Sequence, residues 1–339
     1  MKPRRALLVW VGAAAIASVS AGSTPVPGPR PERLEQSPGP DAPAPGGHLP
    51  VLRVHRYRMA GRIRPLLFWI GRDDVGMGEI VWRGAEGAVA YELLIGTDAA
   101  RAPRGINRWG YLFEESGASG SRVLGVMTTS DEATLSDVTR RTPGTQPVGR
   151  FKGLEAFVAG GRSRSTAETI ETERDYGVRD KALIVDRIER RLQDAVPRDV
   201  AVPAGVRPGF LTAVAELVND TIAARKGGDQ ALRRLKGRTV GYMYGRGRFD
   251  LTLTGVGTVR ASPGGSPRRA LVHAEFGTLN RGTGSRSTFE LDYATEGPLA
   301  GVPTLIRHQP RWWLQAVLKL EEAGAPRADY HPIPDWDDR

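Results

Sequence analysis

Hydrophobic periodicity divides the chain into three blocks. From residue 51 to about 174, apolar and polar residues alternate in short runs. Val51 to Met59 is one, Ile63 to Ile70 a second, and Glu79 to Arg83 brings Ile80, Val81 and Trp82. In Ala88 to Ile95 the residues Val89, Tyr91, Leu93 and Ile95 fall on one side, as a half-buried strand requires. Asp73-Asp74 and Gly76-Met77-Gly78 read as turn chemistry between two of these runs. Asn107 to Glu115 and Arg122 to Thr129 predict a hairpin across the loop 116–121, and Phe151 to Val158 pairs with Thr166 to Glu173 across Gly160-Gly161. Thr129 with Glu132 has the spacing of a capping box for a short helix to about Arg140.

The middle block changes period. Ile184, Ile188 and Leu192 recur at i, i+4, i+8 between about Arg179 and Ala195, with Asp186 and Arg190 paired on the polar side. A second helix is predicted from Pro208 to Ala224, with Phe210, Val214, Leu217, Thr221 and Ile222 on its stripe. Gly227-Gly228 stops it, and Asp229 to Leu235 suits a short third helix. Both stripes read as core-facing.

The last block returns to strict alternation. Phe249, Leu251 and Leu253 alternate with Asp250, Thr252 and Thr254. Val272, Ala274 and Phe276 alternate with His273 and Glu275, and Phe289, Leu291 and Tyr293 with Glu290 and Asp292. One apolar and one polar face marks an antiparallel sheet packed on one side, or a barrel wall. Gly241 to Arg248 is a glycine-rich bend between strands, and Trp312 to Leu320 suits strand or helix. The expected fold class is α+β: a curved antiparallel sheet or partial β-barrel with a central helical segment packed against it. Its single domain covers 51–325, strand-rich over 51–174, helical over 178–236 and strand-rich over 238–320.

The ends read differently. Lys2, Arg4 and Arg5 precede an apolar run of small residues from Ala6 to Ala17, and Val19-Ser20-Ala21 offers a cleavage point, so 1–21 is expected to be an export signal cut after Ala21. The run is shorter than the ~20 residues that span a bilayer, which favours cleavage over a retained anchor. With nine prolines between Thr24 and Pro50, 22–50 reads as a Pro-rich linker in extended conformations. Residues 326–339 read as an acidic, Pro-rich tail. These features predict a periplasmic or secreted protein without a transmembrane segment after cleavage.

Composition then narrows the chemistry. The chain has 339 residues, 40% hydrophobic and 25% charged, which suits a globular protein. It has no cysteine, which removes disulfides, thiolate metal sites and cysteine nucleophiles. The formal charge of +10 comes from 42 Arg and 6 Lys spread along the whole chain. Without a dense basic cluster, nucleic acid is not the expected partner. Nucleophile-elbow, zincin, P-loop and dinucleotide-binding motifs are all missing; Gly117-Ala118-Ser119-Gly120-Ser121 is only a near miss to the first.

Two groups of candidate residues remain. If strands near 270–277 and 287–294 pair across a turn centred near residue 282, His273 lies opposite Asp292 and Glu275 opposite Glu290. An imidazole and three carboxylates on one face suit one divalent metal ion or a general acid/base pair. The competing reading is a solvated face neutralised by Arg246, Arg248, Arg281 or Arg286. Trp312 and Trp313, with Arg246, are the candidate ligand contacts, since indoles stack on sugars or line apolar pockets. Trp69, Trp82 and Trp109 suit the same role or a core, and a barrel interior has room for a lipid. His48, His55, His308 and His331 have no partner motif. The leading expectation is an exported, non-enzymatic protein without a cofactor that binds a lipid, glycan or envelope component through the concave side of its sheet. A metal-assisted hydrolase using His273, Glu275, Glu290 and Asp292 is the alternative.

Overall fold

A computed structural model describes residues 49–63, 70–102, 105–129, 149–261, 269–311 and 314–324. The first strand block gives β1 (Val51–Ile63), β2 (Ile70–Ala85), β3 (Ala88–Thr97), β4 (Trp109–Gly117), β5 (Gly120–Thr128), β6 (Gly149–Ala159), β7 (Arg162–Thr172) and a short β8 (Arg198–Ala201). Between β7 and β8 stands helix α1 (Lys181–Asp194); after β8 come α2 (Phe210–Arg225) and α3 (Gly228–Arg233). The second block gives β9 (Thr239–Tyr244), β10 (Gly247–Ala261), β11 (Arg269–Asn280), β12 (Arg286–Tyr293), β13 (Pro303–Arg311) and β14 (Leu314–Gly324).

All fourteen strands belong to one sheet, ordered β8-β7-β6-β5-β4-β3-β2-β1-β14-β13-β12-β11-β10-β9. Every named pair is antiparallel, and the two blocks meet where β1 pairs with β14, from Val54 opposite Gly324 to Ile63 opposite Leu314. This corrects the α+β class. The antiparallel sheet is continuous through both blocks, and the helices are insertions into it rather than a layer of their own. The sequence shows a change of period at 178, but not that the strands on either side of the helices join edge to edge.

Local chemistry explains the hairpins. Gly160 and Gly161 both take positive φ (54° and 73°), the mirror-image turn whose twist matches its flanking strands. Two expected turns differ. The β4–β5 connection is only Ala118-Ser119, because Ser116 and Gly117 pair with Ser121 and Gly120 and so extend the ladder. Asp73 to Gly78 lies inside β2, where a register shift opposite Met59 to Gly61 absorbs Asp74 at φ 61°.

The sheet curls so that its inner face wraps α2. Tyr57, Leu112 and Val123 from the first block and Leu251, Phe276 and Leu291 from the second pack with Phe210, Ala213 and Leu217 of α2. Helix α1 lies on the outer face instead, its stripe Ile184, Ile188 and Leu192 fully buried against Leu94, Trp109, Leu124 and Phe151. At roughly 1.5–3 kcal/mol for each buried side chain, that stripe holds the helix down. In β3 successive residues Leu93, Leu94 and Ile95 are all buried, so the strand is covered on both faces, which is why this run is apolar without a break.

The two sheet ends approach without a named ladder between β8 and β9. Arg207, just after β8, forms a bridge with Tyr242 of β9, and Ser163 of β7 donates to the Gly245 carbonyl at 3.4 Å. The Tyr244 hydroxyl reaches the inner face of β5 at Gly125, where an added Cβ would lie 1.9 Å from it. Among the described residues no helix is long and apolar enough to cross a membrane.

Candidate functional site

Helix α2 has no capping side chain of its own. Its N-cap is Gly209, in extended backbone. The cap comes from the sheet: Glu114 of β4, 1% exposed, accepts from the Leu211 amide at 2.7 Å and the Thr212 amide at 2.8 Å. The Thr212 hydroxyl donates to the same carboxylate at 2.9 Å. A carboxylate here satisfies the first amides and faces the positive end of the helix dipole. A Cβ on residue 209 would lie 2.3 Å from the Glu114 carboxyl carbon, so glycine leaves the carboxylate its place. Burial raises the Glu114 pKa, and the amide donors pull it back down.

Alongside α2 the curl leaves space. A cavity of about 280 Å³ lies between the helix and the inner face, with Trp82, Tyr91 and Leu93 on one wall, Val214 and Val218 on the helix, and Phe289 on the third. Its lining is apolar apart from a few groups such as Asn219 and the Arg83–Glu92 pair. Leu52 and Val89, half and 38% exposed, are large apolar residues on the same lining that face solvent. A deep, mostly apolar concavity with few polar groups is the usual form of a small-molecule site.

The polar groups around the cavity have distinct partners. Arg83 is ion-paired with Glu92, whose other oxygen accepts from the Tyr111 hydroxyl at 3.1 Å. Lys181, at the start of α1, stands 4.0 Å from Glu92 with its ammonium over the Tyr111 ring, and burial lowers its pKa. Arg53 lies over the Trp82 ring, 5.4 Å from its centroid, and donates to the Pro298 carbonyl at 3.2 Å. His55, 2% exposed, meets Trp82 edge-on at 5.9 Å and has no hydrogen-bond partner for either ring nitrogen among the described residues. Burial, and secondarily the Arg53 charge, lower its pKa to about 4, so the ring is neutral at pH 7.

On the outer face, β11 and β12 pair in the register read from the sequence, His273 opposite Asp292 and Glu275 opposite Glu290. His273 Nδ1 lies 2.6 Å from Asp292, and Nε2 lies 3.7 Å from Glu275. The guanidinium that meets this face is Arg307 of β13, which donates to Glu290 at 3.1 Å and to Asp292 at 3.4 Å. Among the described residues no group of three or more His, Asp or Glu is arranged to hold a metal ion. Arg281 pairs with the neighbouring buried Asp250.

No protein-family model matches this chain. No curated protein matches it either. Among solved structures it is similar to a β-barrel-like protein of a domain of unknown function, DUF1849, from Brucella abortus. The two are 7% identical with a TM-score of 0.40, over 83% of this chain and 100% of that one.

Among the described residues, the candidates Arg246, Trp109 and His308 are separate from the cavity. Arg246 is exposed in the β9–β10 turn and does not line it. Trp312, Trp313 and Trp69 lie outside the described residues, as do the export signal, nearly all of the linker, the acidic tail, His48, His331 and the helix expected after Thr129. Trp109 is a core residue whose indole donates to the Tyr176 carbonyl at 3.0 Å. His308 is buried, with Nδ1 2.9 Å from the Thr288 carbonyl. Sequence reasoning placed Tyr91, Phe210, Val214 and Ile222 on apolar faces but did not bring them together as a cavity, and it did not single out Glu114. One signal was available: Leu211, Ala213, Val214, Leu217, Val218 and Ile222 surround more than one side of α2, the pattern of a helix buried most of the way round.

Proposed function

We propose that this chain is an exported binding protein that takes an apolar small molecule or lipid chain into the cavity between α2 and the inner face of the sheet. The observation that carries the reading is the cavity itself, about 280 Å³, mostly apolar and open to solvent on the side of Leu52 and Val89. A concavity of this kind with few polar groups is the usual form of a small-molecule site. Leu52 and Val89 support it, since two solvent-facing apolar side chains on one lining form an entry for a hydrocarbon. Support for export is the sequence pattern of Lys2, Arg4 and Arg5 followed by the apolar run Ala6 to Ala17.

The test is titration of the purified protein with the uncharged fluorophore N-phenyl-1-naphthylamine. A saturable rise in emission is expected, with affinity falling at least tenfold in Val214→Trp, where the indole fills the space beside half-buried Val214. Val214→Trp should retain the wild-type circular dichroism. No saturable binding by the wild type, or equal binding by the folded variant, overturns the reading.

A further inference from the structure

The charges beside the cavity are not evenly matched. Arg83 is paired with Glu92, whereas Arg53 has no carboxylate partner among the described residues and spends one N–H on the Pro298 carbonyl. A register shift in β1 between Val51 and Arg53 sets this arrangement. It brings Leu52 into the cavity lining while Arg53 lies over Trp82, which lines the cavity too. The guanidinium therefore stands at Trp82, a residue of the cavity lining to which the exposed Leu52 also belongs. Two residues along the strand, His55 is buried against the same indole with neither ring nitrogen satisfied among the described residues. Buried polar atoms are nearly always bonded, so this corner is short of an acceptor or of negative charge.

We infer that the cavity takes a single-chain amphipathic anion, its alkyl chain among Trp82, Leu93, Val218 and Phe289 and its carboxylate on the Arg53 guanidinium. The inference rests on the reading of the cavity as a ligand site and adds the chemistry of the head group. A carboxylate fits better than a larger anion. Its two oxygens match the paired N–H groups of one guanidinium, and Arg83, the cation on the lining itself, is already held by Glu92, which leaves Arg53 beside Trp82 to receive it. His55 is close enough to sense the occupant without touching it: its pKa is held down partly by Arg53, so an anion that neutralises Arg53 raises it.

Dodecanoate and dodecan-1-ol, equal in chain length and different in charge, separate the head from the tail. Calorimetry on the wild type should show dodecanoate binding at least tenfold more tightly than the alcohol. Arg53→Gln should lose that preference and keep its affinity for dodecan-1-ol. In ring-proton NMR, the His55 midpoint, about 4 in the free protein, should rise with dodecanoate and stay in place with the alcohol. Equal affinities for the two ligands, or a preference that survives Arg53→Gln, overturn the anion site and leave the cavity reading intact. Failure of both ligands to bind removes the cavity reading and this inference with it.

Discussion

His55 is a neutral imidazole kept in a place where a charged one is disfavoured, and that has a consequence for stability. Its pKa in the folded protein is about 4, below the ~6.5 of a free histidine. As pH falls below 6.5 the unfolded chain takes the proton first, and the folded state takes it only near 4. The stability that depends on neutral His55 is therefore complete above pH 6.5 and is lost between 6.5 and 4. The full loss is at most about 3 kcal/mol, at 1.36 kcal/mol per pKa unit. Urea unfolding of wild type and His55→Leu at pH 7 and pH 4.5 should show the wild type losing more on acidification than the variant; equal losses would show that the buried ring does not resist protonation. The position of His55 in the first strand was clear from the alternation of Val51 to Met59. Its isolation was not, because a lack of partners depends on what the curled sheet brings near it.

At the level of elements, the cap on α2 joins residues far apart in sequence. Glu114 lies on β4, 97 positions before Leu211, and it takes the place of a side chain that Gly209 cannot supply. Glu114→Gln keeps the shape but turns an NH₂ toward one of the two amides, leaving a buried donor without an acceptor. We expect a loss of about 1–3 kcal/mol in urea unfolding. Hydrogen exchange at Leu211 and Thr212 should rise by more than at α1; equal protection in wild type and variant would rule out the cap. No local motif announces this contact, so it could not be read from the chain. The hairpin of β11 and β12 was legible, since its alternation and the turn near residue 282 fix the register within twenty residues. The same reading placed His273, Glu275, Glu290 and Asp292 together but missed Arg307, which arrives from β13 by a separate pairing. Local periodicity also showed α1 and α2, but not that α1 lies outside the sheet and α2 inside it.

For the molecule as a whole, the packing of β9 over β5 sets how far the sheet curls. The Tyr244 side chain is 1% exposed, and its hydroxyl, without a hydrogen-bond partner among the described residues, stands where a side chain at Gly125 would begin. Gly125→Ala should cost about 1–3 kcal/mol by overpacking, and Gly125→Ala with Tyr244→Phe, which removes the clashing oxygen, should recover most of it. Thermal unfolding of both variants checks this; a double variant no more stable than the single one would mean that the two residues are not in contact. The expected α+β class failed at this scale too. Both strand blocks were visible in the sequence, but the pairing of β1 with β14 depends on residues more than 250 positions apart.

That seam between β1 and β14 also governs the order in which the molecule can be completed. β1 precedes every other named strand in the chain, and on one side it is a bare edge until β14 arrives. The middle of the sheet is therefore the last part to be sealed, and no partial chain ending before residue 324 holds the full set of backbone partners. Contacts this distant in sequence make folding slow, and an open edge is a template for wrong pairing while it waits. Until residue 324 has been made, the chain therefore carries unpaired edges in mid-sheet, one at β1 and, once it has formed, one at β13.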